Sequence, residues 1–175
     1  MKLGEGVEWA LHCATLLASL PPETSLSGKA LAEFHGVSES YLLKHLKAAT
    51  AAGLFNSTPG PRGGFCLARP ARDVSLLDVV LAVEGAAAAF RCAEVRQRGP
   101  AAAPREQCLA PCAINAAMLR AEQAWRASLA DTSLQTIVDR MLSGLTRERA
   151  ERAMIWLRDN ARSRRPEATS ARRGD

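Results

Sequence analysis

The sequence predicts a mainly α-helical chain with one small β-hairpin and one long helix. Three observations predict it. Apolar residues recur at three- and four-residue steps in several separate stretches. A single turn-rich run, Pro59-Gly60-Pro61-Arg62-Gly63-Gly64, lies between two short strand-like segments. A seam of residues at alternating steps of four and three follows a proline-broken loop.

Taken in order, Leu3, Val7, Ala10, Leu11, Ala14 and Leu17 form one stripe of an amphipathic helix that runs to about Leu20 and stops at Pro21-Pro22. Ser27 is placed to cap a short helix carrying Leu31 and Phe34, closed by Gly36. Ser38 is placed to cap a third through Leu42, Leu46 and Ala49, closed by Gly53. Two short helices joined by a glycine turn read as helix-turn-helix. Leu54–Ser57 and Phe65–Leu67 flank the glycine-rich run as a hairpin, a wing. Ser75-Leu76-Leu77-Asp78 has capping-box form and opens a fourth helix with Val79, Val80 and Val83, which packs back on the first three. The whole is a winged helix-turn-helix.

Periodicity fails from Arg91 to Pro111, where Gly99, Pro100 and Pro104 break the chain and where Cys92, Cys108 and Cys112 lie in or beside the loop. Ile114, Met118, Ala121, Trp125 and Ser128 then set a side-by-side packing seam on a helix to about Ala130, read as a dimerisation helix. Asp131 or Thr132 caps a further helix bearing Leu134, Ile137, Val138, Met141 and Leu142, and a last helix spans about Ala150 to Leu157. The organisation read from this is a DNA-binding domain over 1–90, a cofactor loop over 91–112, dimerisation and C-terminal helices over 113–162, and a disordered Arg-rich tail over 163–175.

Composition narrows the function. No segment is apolar enough to span a bilayer, and Glu5 and Glu8 spoil the start as a signal peptide, so a cytoplasmic protein is expected. Five cysteines in a reducing compartment favour ligand or reactive roles over disulfides. The formal net charge of +5 suggests an anionic partner, yet residues 1–91 hold eight Lys/Arg and eight Asp/Glu, and all the excess lies beyond. Bulk charge therefore does not mark the N-terminal half as the nucleic-acid binder; pattern does. No catalytic triad, phosphate loop or general-base pair is visible, so an enzyme is not expected.

In the helix-turn-helix reading, Ser38, Ser40, Tyr41 and Lys44 at the start of the third helix face the major groove of double-stranded DNA, and Arg62 at the wing tip reaches the adjacent minor groove. The run Val37-Ser38-Glu39-Ser40-Tyr41-Leu42, the following Ala52-Gly53-Leu54, the wing Gly60–Leu67 and Leu76-Leu77-Asp78-Val79-Val80 resemble the Rrf2 family of bacterial winged-helix regulators. The resemblance covers about residues 1–142. It implies a homodimer on a palindromic operator, often under the control of an iron-sulfur cluster.

Better-known members space three cysteines several residues apart, whereas here Cys92 is distant and Cys108 and Cys112 form a close pair. In this the chain resembles the family's redox-sensing branch, in which a 2Fe-2S cluster takes two cysteines from one subunit and a carboxylate and a histidine from the first helix of the other. The resemblance carries those roles to Cys108, Cys112, Glu8 and His12. The sequence adds that Glu8 and His12 lie one turn apart, roughly 125° to 165° from the centre of the Leu3–Leu17 stripe. Trp9 and Leu16 also point away from it, so a cover from a partner subunit is expected, and Trp9 is placed to relay a change at the cluster. Thiolates suit iron, although Cys/Cys/His/Glu satisfies tetrahedral zinc as well. Cys92 is a third ligand, a redox thiol or a buried residue, while Cys13 and Cys66 read as packing thiols. The alternatives to a redox-controlled DNA-binding regulator are zinc or cysteine-thiol sensing on the same scaffold, and an iron-sulfur interaction module that does not act on DNA.

Overall fold

The structure is a computed structural model describing residues 3–21, 24–60 and 63–163. Its order is α1 (Glu5–Ala18), β1 (Thr24–Ser25), α2 (Gly28–His35), α3 (Glu39–Ala51), β2 (Phe55–Thr58), β3 (Gly64–Leu67), α4 (Leu76–Glu84), α5 (Ala113–Ala130), α6 (Leu134–Ser143), α7 (Arg147–Asn160) and β4 (Arg162–Ser163). This is the mainly helical winged fold that the patterning predicts.

Local chemistry explains most element ends. Ser27 accepts from the Ala30 amide at the start of α2, and Gly36 closes that helix in the left-handed region at φ 65°. Ser75 and Asp78 complete a reciprocal capping box on α4. Two cap assignments are corrected. Ser38 occupies the cap position of α3 but makes no cap bond, its hydroxyl lying 3.1 Å from that of Ser40. Asp131 ends α5 rather than starting α6; Ser133 caps α6 by accepting from the Thr136 amide. Several hydroxyl and carboxyl residues in a row compete for that cap, and the winner is set by where Leu134 is pulled into the core.

The wing is an antiparallel pair in which Phe55 faces Leu67 and Thr58 faces Gly64. Gly64 is required there: a Cβ would lie 2.6 Å from the Leu26 carbonyl, closer than any real contact, because Leu26 bridges Phe65 through two backbone bonds of 3.0 and 2.8 Å.

One core joins all of this. Cys13, Leu26, Leu31, Leu42, Leu46, Phe55, Val74 and Val79 are sealed together with Leu134 of α6. A backbone bridge between Ser75 and Ser133 brings α6 onto the winged half. This corrects the reading of Leu16, expected to stand out beside Trp9 and wait for a partner. It is buried within the chain, beside a cavity of about 280 Å³ lined also by Phe34, His35, Val138 and Leu157. The stripe of α1 is wider than its own periodicity shows because α6 and α7 cover a second face. Ser163, expected to begin the tail, is instead paired in β4; residues 164–175 lie outside the described residues.

The loop before α5 is held by a buried ion pair that the sequence does not advertise. Glu122, 8 % exposed, accepts from the Ala89 amide at 3.0 Å and pairs with Arg126 at 2.7 Å, and Arg126 donates to the carbonyls of Ala86 and Ala87.

Candidate nucleic-acid interface and metal centre

Burial of Leu42, Leu46 and Ala49 fixes the rotation of α3, and the opposite face then presents Ser38, Ser40, Tyr41 and Lys44 to solvent, all exposed. Lys47, also exposed and one turn beyond Lys44, joins this face and was not among the predicted contacts. Hydroxyls, a phenol and two lysines on one helix face form a surface able to bond phosphates and base edges. Beside it the chain turns through Gly60, at φ 97°, into the Gly63 amide, which donates to the Gly60 carbonyl at 2.9 Å. Arg62 lies outside the described residues.

Beneath the exposed face, α3 leans on α1 through an aromatic cluster. Trp9 is edge-on to Tyr41 with ring centroids 5.6 Å apart and to His45 at 6.4 Å, and Tyr41 and His45 are 5.7 Å apart. Gly6 permits this approach, since a Cβ there would collide with the His45 ring. The His45 Nε2 is buried without a hydrogen-bond partner. Burial lowers its pKa from 6.5, and the Lys44 charge lowers it further against the opposing pull of Glu84.

On the same helix as Trp9, Glu8 and His12 are both exposed and line an open groove of about 320 Å³ with Leu3, Glu5 and Leu11. The imidazoles of His12 and His35 are 5.7 Å apart. Thus the structure brings the predicted carboxylate and imidazole together on an accessible face.

The cysteine loop is organised by Arg96. Its Nε donates to Glu94 Oε1 at 2.6 Å, its Nη2 to Glu94 Oε2 at 3.0 Å, and Nη2 also to the Ala110 carbonyl at 3.1 Å. Glu94 is the one non-glycine among the described residues with positive φ, 48°. This clamp ties the guanidinium to the carbonyl of Ala110, which lies between Cys108 and Cys112 in sequence. Cys112 stands at the cap position of α5, where the amides of Asn115 and Ile114 pull its pKa below the ordinary cysteine value, with help from Arg96. Cys108 and Cys112 are half-buried and Cys92 is exposed. Cys13 is sealed in the core, where burial pushes its thiol up to about 12, and Cys66 is half-buried on β3.

Among the described residues, no three His, Cys, Asp or Glu side chains of one chain converge as a metal site. The donors instead form two accessible pairs, Cys108/Cys112 and Glu8/His12. Two thiolates with a carboxylate and an imidazole are a donor set that fits an iron-sulfur cluster or zinc, and the cationic Arg96 beside the thiols suits an anionic thiolate-bound group.

The family model described as Rrf2, an iron-dependent transcriptional regulator, matches residues 3–140. The chain belongs to the Rrf2 family. It is 33 % identical over 141 residues to the putative HTH-type transcriptional regulator YwgB of Bacillus subtilis, covering 81 % of this chain and 86 % of that one. It is 36 % identical over 141 residues to the putative regulator YffB of Lactococcus lactis, covering 79 % and 88 %. Among solved structures, the oxidised form of CymR from Staphylococcus aureus superposes with a TM-score of 0.57 at 25 % identity, over 79 % of this chain and 96 % of that chain. T. potens IscR has the same fold, with a TM-score of 0.63 at 21 % identity over 84 % and 93 %. This Rrf2 protein is accordingly a DNA-binding transcriptional regulator, and the exposed face of α3 with the wing is its candidate DNA interface. Its described helices include none long and apolar enough to cross a membrane.

The sequence missed the Arg96 clamp, the Glu122–Arg126 pair and the aromatic seat of Trp9. Only the i, i+4 spacing of Glu122 and Arg126 offered a signal.

Proposed function

We propose that this Rrf2 regulator binds its operator as a homodimer and that its affinity is set by the redox state of a 2Fe-2S cluster held between subunits, as in the redox-sensing branch of the family. What supports the reading is one observation: among the described residues the predicted donors do not converge within one chain but stand as two pairs, the half-buried Cys108 and Cys112 ahead of α5 and the exposed Glu8 and His12 on α1, so that two copies of the chain could complement one another. Cys108 and Cys112 would hold the cluster from the loop of one subunit, Glu8 and His12 from α1 of the other, and the cluster would supply one-electron redox chemistry.

The protein's part is positioning and transmission. Arg96 holds the Ala110 carbonyl between the two cysteines and sets a positive charge near Cys112, and the first turn of α5 favours Cys112 as thiolate. Glu8 and His12 hold α1. Because Trp9 follows Glu8 directly and rests on Tyr41 and His45, a small rotation of α1 moves the packing beneath the DNA-facing side of α3. In a dimer on a palindromic operator, that displacement changes the spacing of the two recognition helices.

A second reading keeps DNA binding and places the sensing in the thiols themselves. The lowered pKa of Cys112 favours it. An anaerobic absorption, iron, sulfide and zinc assay on the wild type and on Glu8→Ala, His12→Ala, Cys92→Ala, Cys108→Ala, Cys112→Ala and Arg96→Ala separates the two. The expected result is a coloured protein with equal iron and sulfide, the colour lost in Cys108→Ala and Cys112→Ala, weakened in Glu8→Ala, His12→Ala and Arg96→Ala, and kept in Cys92→Ala. A colourless protein with stoichiometric zinc or no metal sinks the cluster. Equal operator affinity in oxidised and reduced protein, cluster intact, sinks the redox control.

A further inference from the structure

The cavity beside Leu16 lies between the DNA-binding half and the C-terminal helices. Its walls are Leu16 of α1, Phe34 and His35 of α2, Val138 of α6, and Met154 and Leu157 of α7. The family model ends at residue 140, so the α7 wall lies beyond the matched segment. At about 280 Å³ the space is roughly nine times the share of one water in the liquid, room for about ten non-hydrogen atoms. Leu142 and Met154 at its edge are 59 % and 70 % exposed, which leaves a way in from solvent.

The polar groups around this space are few, and none is acidic. No Asp or Glu lines it. The hydroxyls of Thr15 and Ser19 are already committed to carbonyls of their own helix, donating to Leu11 at 2.8 Å and to Leu16 at 2.7 Å. What remains is nitrogen, on His12, His35 and Arg149. Arg149 is exposed and forms no ion pair among the described residues. The His35 Nε2 is shielded from water and has no hydrogen-bond partner, a state that buried polar atoms rarely keep. An apolar pocket with a few polar groups is the usual form of a small-molecule site, and a guanidinium beside it selects a carboxylate head.

The cavity is also connected to the wing. Trp156 of α7 sits edge-on to Phe34 of α2 with centroids 4.9 Å apart, which seats α7 on the DNA-binding half. The chain then enters β4, which pairs antiparallel with β1, Ser25 opposite Arg162. β1 leads into Leu26, bridged to Phe65 of the wing, and Arg162 donates from Nη1 to the Gly63 carbonyl at 3.1 Å. A molecule seated against α7 therefore bears on the strand that holds the wing.

We propose that this cavity binds a small amphipathic monocarboxylic acid, its apolar body between Leu16, Phe34, Val138 and Leu157 and its carboxylate on Arg149. The bound acid steadies α7 and, through β4, the wing, and so raises the affinity for DNA. No cysteine lines the cavity, so this site is separate from the Cys108/Cys112 pair.

The probe is octanoate, whose size matches the space, titrated by calorimetry into the full-length protein. Octanol and octylamine, with the same chain and a neutral or cationic head, are the controls. One octanoate per chain is expected, with a Kd on the order of tens of micromolar, octanol weaker and octylamine unbound. Arg149→Ala, at an exposed position that leaves the fold intact, should weaken octanoate about tenfold and leave octanol unchanged. Ala153→Phe, which puts a ring into the cavity, should abolish both. Saturating octanoate should tighten the binding of a mixed-sequence duplex, followed by fluorescence anisotropy, about fivefold in the wild type and not at all in Ala153→Phe. No saturable uptake of octanoate, or equal affinity in Arg149→Ala, overturns the proposal. Uptake that survives Ala153→Phe does so too, since the acid then sits on the outer apolar surface. Cys108→Ala should bind octanoate as the wild type does; a loss there would move the acid to the cysteine loop and overturn the assignment. Binding that leaves the DNA affinity unchanged overturns the link to the wing.

Discussion

At the scale of single residues, the protein places unusual groups where two elements must touch. His45 is the sharpest case, an imidazole wedged between Gly6, Trp9 and Tyr41 with its Nε2 buried and unbonded. Its folded pKa lies below the ordinary 6.5 because burial disfavours the imidazolium. The sign follows from proton counting. Between the folded and unfolded pKa values the unfolded chain holds a proton that the folded chain does not, so this contribution to stability is intact above about 6.5 and declines as the pH falls below it. The melting temperature should therefore drop between about pH 7.5 and 5.5, and His45→Gln should flatten part of that drop. An identical pH dependence in wild type and variant would show that the buried imidazole carries no such coupling. Arg96 is the corresponding device in the cysteine loop, where one guanidinium bonds a carboxylate on two oxygens and a carbonyl fourteen residues away.

At the scale of elements, the wing is the clearest example of backbone geometry overriding side-chain pattern. Gly64 belongs to the same strand as Phe65 and Leu67 and would read as a weak strand residue, yet the close passage of the Leu26 backbone leaves no room for a side chain. Gly64→Ala should cost about 1 to 3 kcal/mol of stability in denaturant titration, by forcing β3 away from Leu26. It should also weaken DNA binding, because the wing tip and the Arg162 bond depend on that register. An alanine variant as stable as wild type would mean that the strand shifts freely there. The same scale explains the caps: Ser27 and Ser75 do what their spacing predicts, while Ser38 turns to Ser40 and leaves the first turn of α3 without a side-chain cap.

At the scale of the molecule, α5 is conspicuous because its predicted seam is open. Ile114 is 66 % exposed and Met118 43 %, while Glu122, one turn beyond Met118, is sealed against the chain. Apolar side chains left wet on a long helix are the expected signature of a dimer interface, in keeping with the homodimer proposed above. Ile114→Glu combined with Met118→Glu should yield a monomer in analytical ultracentrifugation and, if the cluster bridges subunits, a colourless one. A monomeric variant that retains full colour would place all the ligands within one chain.

Much of the winged half was legible in the sequence because its signals are local. Helical periodicity, glycine at left-handed positions and the Ser-x-x-Asp box each act within a few residues, and they located α1 to α4, the wing and the start of α5. The resemblance of the α3 and wing motifs to the Rrf2 family was legible for the same reason, and the family match over residues 3–140 bears it out. What tertiary structure alone decided depends on contacts between residues far apart in the chain. Leu16 is inside because α6 and α7 cover a second face of α1. Ser133 caps α6 because Leu134 is drawn into the core, and Ser163 is a strand residue because β1 offers it an edge. Periodicity records which face of an element is apolar; only the fold decides how many neighbours that face must meet.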